Sequence, residues 1–135
     1  MERISWTDDC SVGVRQLDEH HKHLFELLHS IGLACDRKGQ PGNVEAIIHE
    51  LADYATYHFA AEERLMDATG YYDSAAHKME HQRFVRKVAD FQRDLSEGRN
   101  MRTIELISFL GNWLIHHIME VDKKLGLYLN IVNIR

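Results

Sequence analysis

Apolar side chains recur every three to four residues over four stretches of the chain, as amphipathic helices require. In the first stretch, about 17–36, Leu17, Leu24, Leu28, Ile31 and Cys35 form a narrow seam. The second, about 44–68, carries Val44, Ile47, Ile48, Leu51, Ala55, Leu65 and Met66 on one side. The third opens near Asp73 or Ser74, both good N-caps, and aligns His77, His81, Phe84, Val88, Phe91 and Leu95. The fourth, from about Arg102 into "KKLG", aligns Ile104, Ile107, Leu110, Leu114, Ile118, Val121 and Leu125, and its lysines suit a helix C-terminus. Turn signals separate the four: "RKGQPG", in which Pro41 suits the opening turn of a helix, Gly70 at a C-terminal cap, and Gly98 in "EGRN". Short connections between long helices favour antiparallel neighbours. The pattern therefore predicts an all-α, antiparallel up-down four-helix bundle. Residues 1–16, with Trp6, are expected as an irregular arm across it, and the apolar tail "LYLNIVNIR" is expected to pack too.

Composition narrows this picture. With 135 residues, the chain suits one domain, 1–135, with a real core. Apolar residues at 44% and charged residues at 27% match a soluble globular protein. The net charge of -5, with no Lys/Arg stripe, argues against nucleic acid as a partner. The start "MERISWTDDC" lacks the apolar core of a signal peptide and no run reaches membrane length, so a cytoplasmic protein with no membrane partner is expected. Cys10 and Cys35 have no C-x-x-C spacing, and Cys35 reads as a small core residue. Nothing in the stripes demands a partner face, so a monomer is expected. The abnormal figure is 10 histidines in so short a chain.

Helical phase sorts those histidines. His58 and Glu62 sit at the centre of the second stripe, one turn apart, while His49 points away. His77 and His81 are core-facing on the third helix. On the first helix His21 lies nearer the midline than His20, and His23 and His29 lie well off it. On the fourth, His116 lies opposite the stripe, whereas His117 and Asp122 flank it. The step from His117 to Asp122 is five residues, about 140° on an ideal helix. The two side chains can converge on the bundle axis only from opposite flanks, with a local loosening of the helix.

A lone inward histidine is an ordinary core residue, but five imidazoles and two carboxylates in one bundle core are prohibitively costly unless paired or metal-bound. Seven ligand-type side chains, none a cysteine, exceed a structural zinc site and suit two first-row ions with bridging carboxylates. The ferritin-like pattern is excluded, since the single E-x-x-H, Glu26 to His29, lies on a polar face.

The segments "VGVRQLDEHHKHLF", "HFAAEERLMDATGYY", "HKMEH" and "WLIHHIMEVDK" together resemble the hemerythrin family, in particular its single-domain bacterial members. The ordered set D-x-x-H, H-x-x-x-E, H-x-x-x-H and H-x-x-x-x-D carries the resemblance across nearly the whole chain. It implies two iron ions with an oxo or hydroxo bridge. His77, His81 and His117 would bind one iron, His21 and His58 the other, and Glu62 and Asp122 would bridge them. It further implies reversible binding of dioxygen, held as a hydroperoxide at the open iron, for carriage, storage or sensing, with no catalytic residue and no enzymatic activity. An apolar pocket must surround such a position; Leu28, Leu114 and Ile118 are candidates for its lining, and Trp113 is read as structural. The chain departs from the family's usual pattern at His20, where glutamine is common, and at Tyr72, where proline is common. His20 is expected on the surface, with a modulating role in the site as the alternative.

Two other readings compete. A di-iron oxidoreductase acting on peroxide or nitric oxide would need a proton donor near the open iron, for which Tyr54 is the one inward candidate. A sensory module would need a separate protein partner, because no output domain is attached.

Overall fold

The computed structural model describes residues 5–36, 41–97 and 103–135, which are helical almost throughout. Helix α1 spans Arg15–Asp36, α2 Pro41–Thr69 and α3 Ser74–Ser96. The fourth rod is composite: α4, Thr103–His116, runs into a π-helical segment, His117–Asp122, and then into α5, Lys123–Ile131. Packing of α1 on α2, α2 on α3 and α4 on α1 makes the antiparallel four-helix bundle that the apolar pattern predicts. Leu17, Leu24, Ile31, Ile48, Leu51, Met66, Leu110 and Leu125 fill its interior. The side chains of Cys35, Val44, Ile104 and Ile107, and the turn glycines Gly39 and Gly98, lie outside the described residues.

The turn from α2 to α3 is built as expected. Gly70 adopts the left-handed φ of 69°, and the Tyr71 amide donates to the Met66 carbonyl at 3.0 Å, closing a six-residue cap. Two bonds tie this turn to the fourth rod: Lys124 Nζ lies 2.7 Å from Asp73 Oδ2, and the Tyr128 hydroxyl donates to the Thr69 carbonyl.

The fourth rod departs from the sequence reading in two places. It does not stop at "KKLG" but continues to Ile131, so the tail is helical, with Leu129 buried and Leu127 and Ile131 exposed. Gly126 is therefore a contact residue and not a helix terminator. The arm crosses α5 there, and a Cβ on Gly126 would sit 1.9 Å from the Val12 carbonyl oxygen. The buried stripe also differs from the ideal one. Leu106 joins Leu110 and Leu114 in the core, while Val121 is half-buried and Asp122 takes the inward position. Leu106, Leu110 and Leu114 are set at ordinary four-residue steps, while the π segment accounts for the exchange of Val121 and Asp122.

The arm is held by specific bonds. Asp18, at the start of the D-x-x-H motif, accepts from the Ser11 hydroxyl at 2.6 Å and from the Val12 amide at 2.8 Å. Asn130 Nδ2 donates to the Gly13 carbonyl at 2.9 Å from the other side. Trp6 is half-buried against the core, with Lys22 Nζ 4.5 Å above its ring. Since backbone must move to admit a methyl at Gly126, Gly126→Ala should destabilise the fold by about 1–3 kcal/mol. A lowered urea midpoint checks this; an unchanged midpoint would refute the close packing of arm on helix.

Candidate metal centre

Every rod delivers ligand-type side chains to one level of the bundle. α1 supplies His21, α2 supplies His58 and Glu62, α3 supplies His77 and His81, and the π segment supplies His117 and Asp122. The i, i+4 pairs on α2 and α3 stack on one face by ordinary helical geometry. The five-residue pair cannot do so on an α-helix. In the π segment the Lys123 amide reaches back five residues to the Ile118 carbonyl, so five residues make about one turn. His117 Nε2 thereby comes within 3.1 Å of Asp122 Oδ1. The expected loosening is thus a defined change of helix type.

All seven residues are at most 2% exposed, and the carboxylates of Glu62 and Asp122 are fully buried. Asp122 divides its oxygens between two sets of rings. Its Oδ1 lies 3.1 Å from both His77 Nε2 and His117 Nε2, and its Oδ2 lies 2.9 Å from His21 Nε2. Glu62 Oε1 lies 3.1 Å from His58 Nε2 and 3.1 Å from His81 Nε2. Two donor groups result, His77–His81–His117 and His21–His58, each completed by both carboxylates.

The donor chemistry fits metal ions better than it fits internal hydrogen bonding. Despite these short approaches, Nε2 of His21, His58, His77 and His117, both Asp122 oxygens and Glu62 Oε2 have no well-directed hydrogen bond among the described residues. Ring nitrogens and carboxylate oxygens that converge without facing one another are oriented as ligands are. Imidazole with carboxylate suits borderline first-row divalent ions such as iron.

In the metal-free chain, protons take the place of cations. Desolvation pulls His117 down, but the close carboxylate of Asp122, together with Glu62, outweighs it and raises the ring to about 10. His77 behaves likewise: desolvation opposes, while the neighbouring carboxylates of Asp122 and Glu62 prevail and raise it to about 9. His81 moves down, chiefly because burial disfavours its charged form. Burial alone would raise the two carboxylates, yet the surrounding imidazoles hold Glu62 and Asp122 well below the ordinary carboxylate range.

These shifts fix the pH dependence. Raised histidines stabilise the metal-free fold fully below their usual 6.5, and that contribution is lost as pH climbs through about 9 and then about 10. The depressed carboxylates contribute above their usual range, and their share is lost on acidification. Divalent metal added to the metal-free chain near pH 7.5 should displace the His77 and His117 protons, releasing about two protons per chain. A weakly buffered pH-stat titration checks this; uptake without proton release would refute it.

Three residues around the centre differ from their sequence-based reading. His20 is not a surface residue. It is 7% exposed, and its Nδ1 lies 2.9 Å from Nδ1 of His58. Helical phase places it off the α1 midline, but Tyr54 and Tyr57 of α2 cover that flank, with ring centroids 5.9 and 5.3 Å from it. Burial, then the neighbouring His58 and His21, lowers the His20 ring to about 4. Trp113 is more than packing: it stacks on His117 at 4.5 Å with planes 12° apart. Phe59, absent from the sequence-derived stripe, stacks on His81 at 3.9 Å. Its signal was its place directly after His58.

Beyond these stacked rings lies a small enclosed void lined only by apolar side chains, among them Leu24, Leu28, Phe59, Leu110, Trp113 and Leu114. Leu28 and Leu114 are where the pocket reading put them. Ile118 is fully buried but is not part of this lining. Tyr54 lies elsewhere, half-buried against His20, His23 and Tyr57.

A family model described as the hemerythrin HHE cation binding domain matches residues 12–128. Bacteriohemerythrin of Stenotrophomonas maltophilia is 34% identical over 123 residues, spanning 91% of this chain and 79% of that protein. Bacteriohemerythrin of Methylococcus capsulatus is 33% identical over 130 residues, spanning 93% and 96%. A crystal structure of wild-type hemerythrin superposes with a TM-score of 0.88 at 31% identity, covering 93% of this chain and 97% of that one.

Proposed function

The chain belongs to the hemerythrin family, and on that premise we propose that it is a non-haem di-iron protein that binds dioxygen reversibly. His77, His81 and His117 would hold one iron and His21 and His58 the other, with Glu62 and Asp122 shared between them. The observation that supports this most directly is the division of the Asp122 oxygens, with Oδ1 toward His77 and His117 and Oδ2 toward His21. The iron pair, when bound, supplies the electrons and the open coordination position that dioxygen binding needs. The group with two histidines offers fewer ligands than the group with three, so an open position would belong to the iron held there.

The surrounding residues keep the site dry and aprotic. Leu24, Leu28, Leu110 and Leu114 line the void with no titratable group among them, so water and proton donors are excluded from the space beside the centre. Phe59 and Trp113 hold His81 and His117 in place by stacking. Reversible binding needs this environment, because a nearby acid would promote loss of reduced oxygen species. Tyr54, the acid that turnover of peroxide or nitric oxide would call on, packs against His20 outside that lining. Burial, with Tyr57 and Glu19 nearby, raises its hydroxyl pKa further. Binding for carriage, storage or sensing is therefore favoured over catalysis. We read the chain as one domain acting as a monomer. No helix among the described residues is long and apolar enough to cross a membrane.

The purified protein should contain about two irons per chain. After reduction, admitting oxygen should change its visible absorption, and removing oxygen should restore the starting spectrum. An irreversible change with turnover of peroxide would overturn the binding reading. Alanine at His77 should lower the iron content, whereas alanine at the exposed His116 should leave it unchanged, as metal analysis will show.

A further inference from the structure

We propose that His20 is a positioning residue for His58, accepting the Nδ1 proton of His58 on its own Nδ1 and so locking the tautomer that leaves His58 Nε2 free to bind metal. The inference rests on the reading of His58 as an iron ligand.

The geometry that carries it is the 2.9 Å separation of two Nδ1 atoms. At that distance one ring must donate and the other accept, since a neutral imidazole has one nitrogen of each kind. Taken alone, the pair could point either way. Metal removes the ambiguity: a ligand nitrogen has no proton, so with Nε2 committed to metal, His58 must hold its proton on Nδ1. His20 is then the acceptor, and its own proton sits on Nε2. The rings meet edge to face, with centroids 5.0 Å apart and planes at 89°, which lets the N–H of one point along the lone pair of the other.

His20 is itself fixed. Tyr54 meets its ring edge-on, Tyr57 packs beside it, and at 7% exposure water competes little for its acceptor. His58 also differs from the other four histidines in having a partner within hydrogen-bond distance of its Nδ1; the nearest approach elsewhere is Glu63 Oε2, 3.6 Å from His81 Nδ1. The remote Nδ1 atoms of His21, His77, His81 and His117 have no hydrogen-bond partner among the described residues. A partner on the remote nitrogen of a metal-binding histidine sets ring orientation and raises its basicity, and losing one typically weakens metal binding about 10- to 100-fold. A neutral imidazole acts here where a carboxylate or a backbone carbonyl often serves, so it orients His58 without adding a buried charge.

The test is the rate at which the iron-loaded protein gives up metal to an excess of a strong chelator. Phe in place of His20 keeps a ring in the space and removes the acceptor; Asn places a carbonyl oxygen close to where Nδ1 stood. His20→Phe should release one of the two irons about 10-fold faster or more, and His20→Asn should stay near the wild-type rate. Equal release by wild type and His20→Phe overturns the proposal, as does His20→Asn behaving like His20→Phe, since packing alone would then account for the effect. Wild-type protein that binds no iron overturns the underlying reading of His58 as well, so the two failures are distinguishable. Should His20→Phe fail to fold, nitrogen-15 NMR of the wild-type protein loaded with zinc decides the matter. A coupling across the hydrogen bond, with the proton on His58, is expected; its absence, or the proton on His20, overturns the proposal.

Discussion

Everything in this bundle is arranged around two carboxylates that have no access to water. Glu62 and Asp122 are fully buried, and a buried charge without a partner costs several kcal/mol. The interior compensates from all sides with imidazoles, because a single cation cannot surround two oxygens of each group. That requirement explains why each rod contributes at the same level. It also explains why the centre suits either protons or metal ions, and why the apolar layer begins immediately outside the ring of histidines. Phe59 and Trp113 mark that boundary, each with one face on an imidazole and the ring edge in the core.

Such a centre tolerates little sliding of one rod on another, and the ends of the molecule limit it. The fourth rod is fixed on two sides. Its α5 portion is clamped by the arm through Gly126 and Asn130 and tied to the α2–α3 turn through Lys124 and Tyr128. Asp18 closes the loop of constraint. Three residues before His21 on the same helix, it holds the arm that bears on the rod carrying Asp122. One short motif therefore both supplies a candidate ligand and fastens the lid of the bundle.

The bundle and the inward set were legible because apolar spacing and imidazole placement obey the same helical period. His58 with Glu62 and His77 with His81 could be placed from phase alone, as four-residue steps survive any reasonable error in helix boundaries. What escaped depends on neighbours. His20 lies off its own helix's midline, and only the tyrosines of α2 determine that this flank is covered. Gly126 looks like a terminator, since a close approach by Val12, more than a hundred residues earlier, leaves no local trace. Val121 and Asp122 exchanged their expected roles because a uniform 100° step cannot anticipate where a helix changes type. The five-residue interval between His117 and Asp122 was the one local sign of it.

The π segment also bears on how this chain tolerates insertions and deletions. A π turn holds one residue more than the α turn it replaces. Deleting any one residue between His117 and Asp122 could be absorbed as ordinary α-helix, with no hydrogen bond lost. Four α-helical residues turn about as far as five π-helical ones, so Leu125, Gly126 and Leu129 would still face the surfaces they meet, and the change would fall on the spacing of His117 and Asp122. The extra residue is thus taken up within one turn, which lets a five-residue interval bring His117 and Asp122 together while both halves of the rod keep one face to the interior.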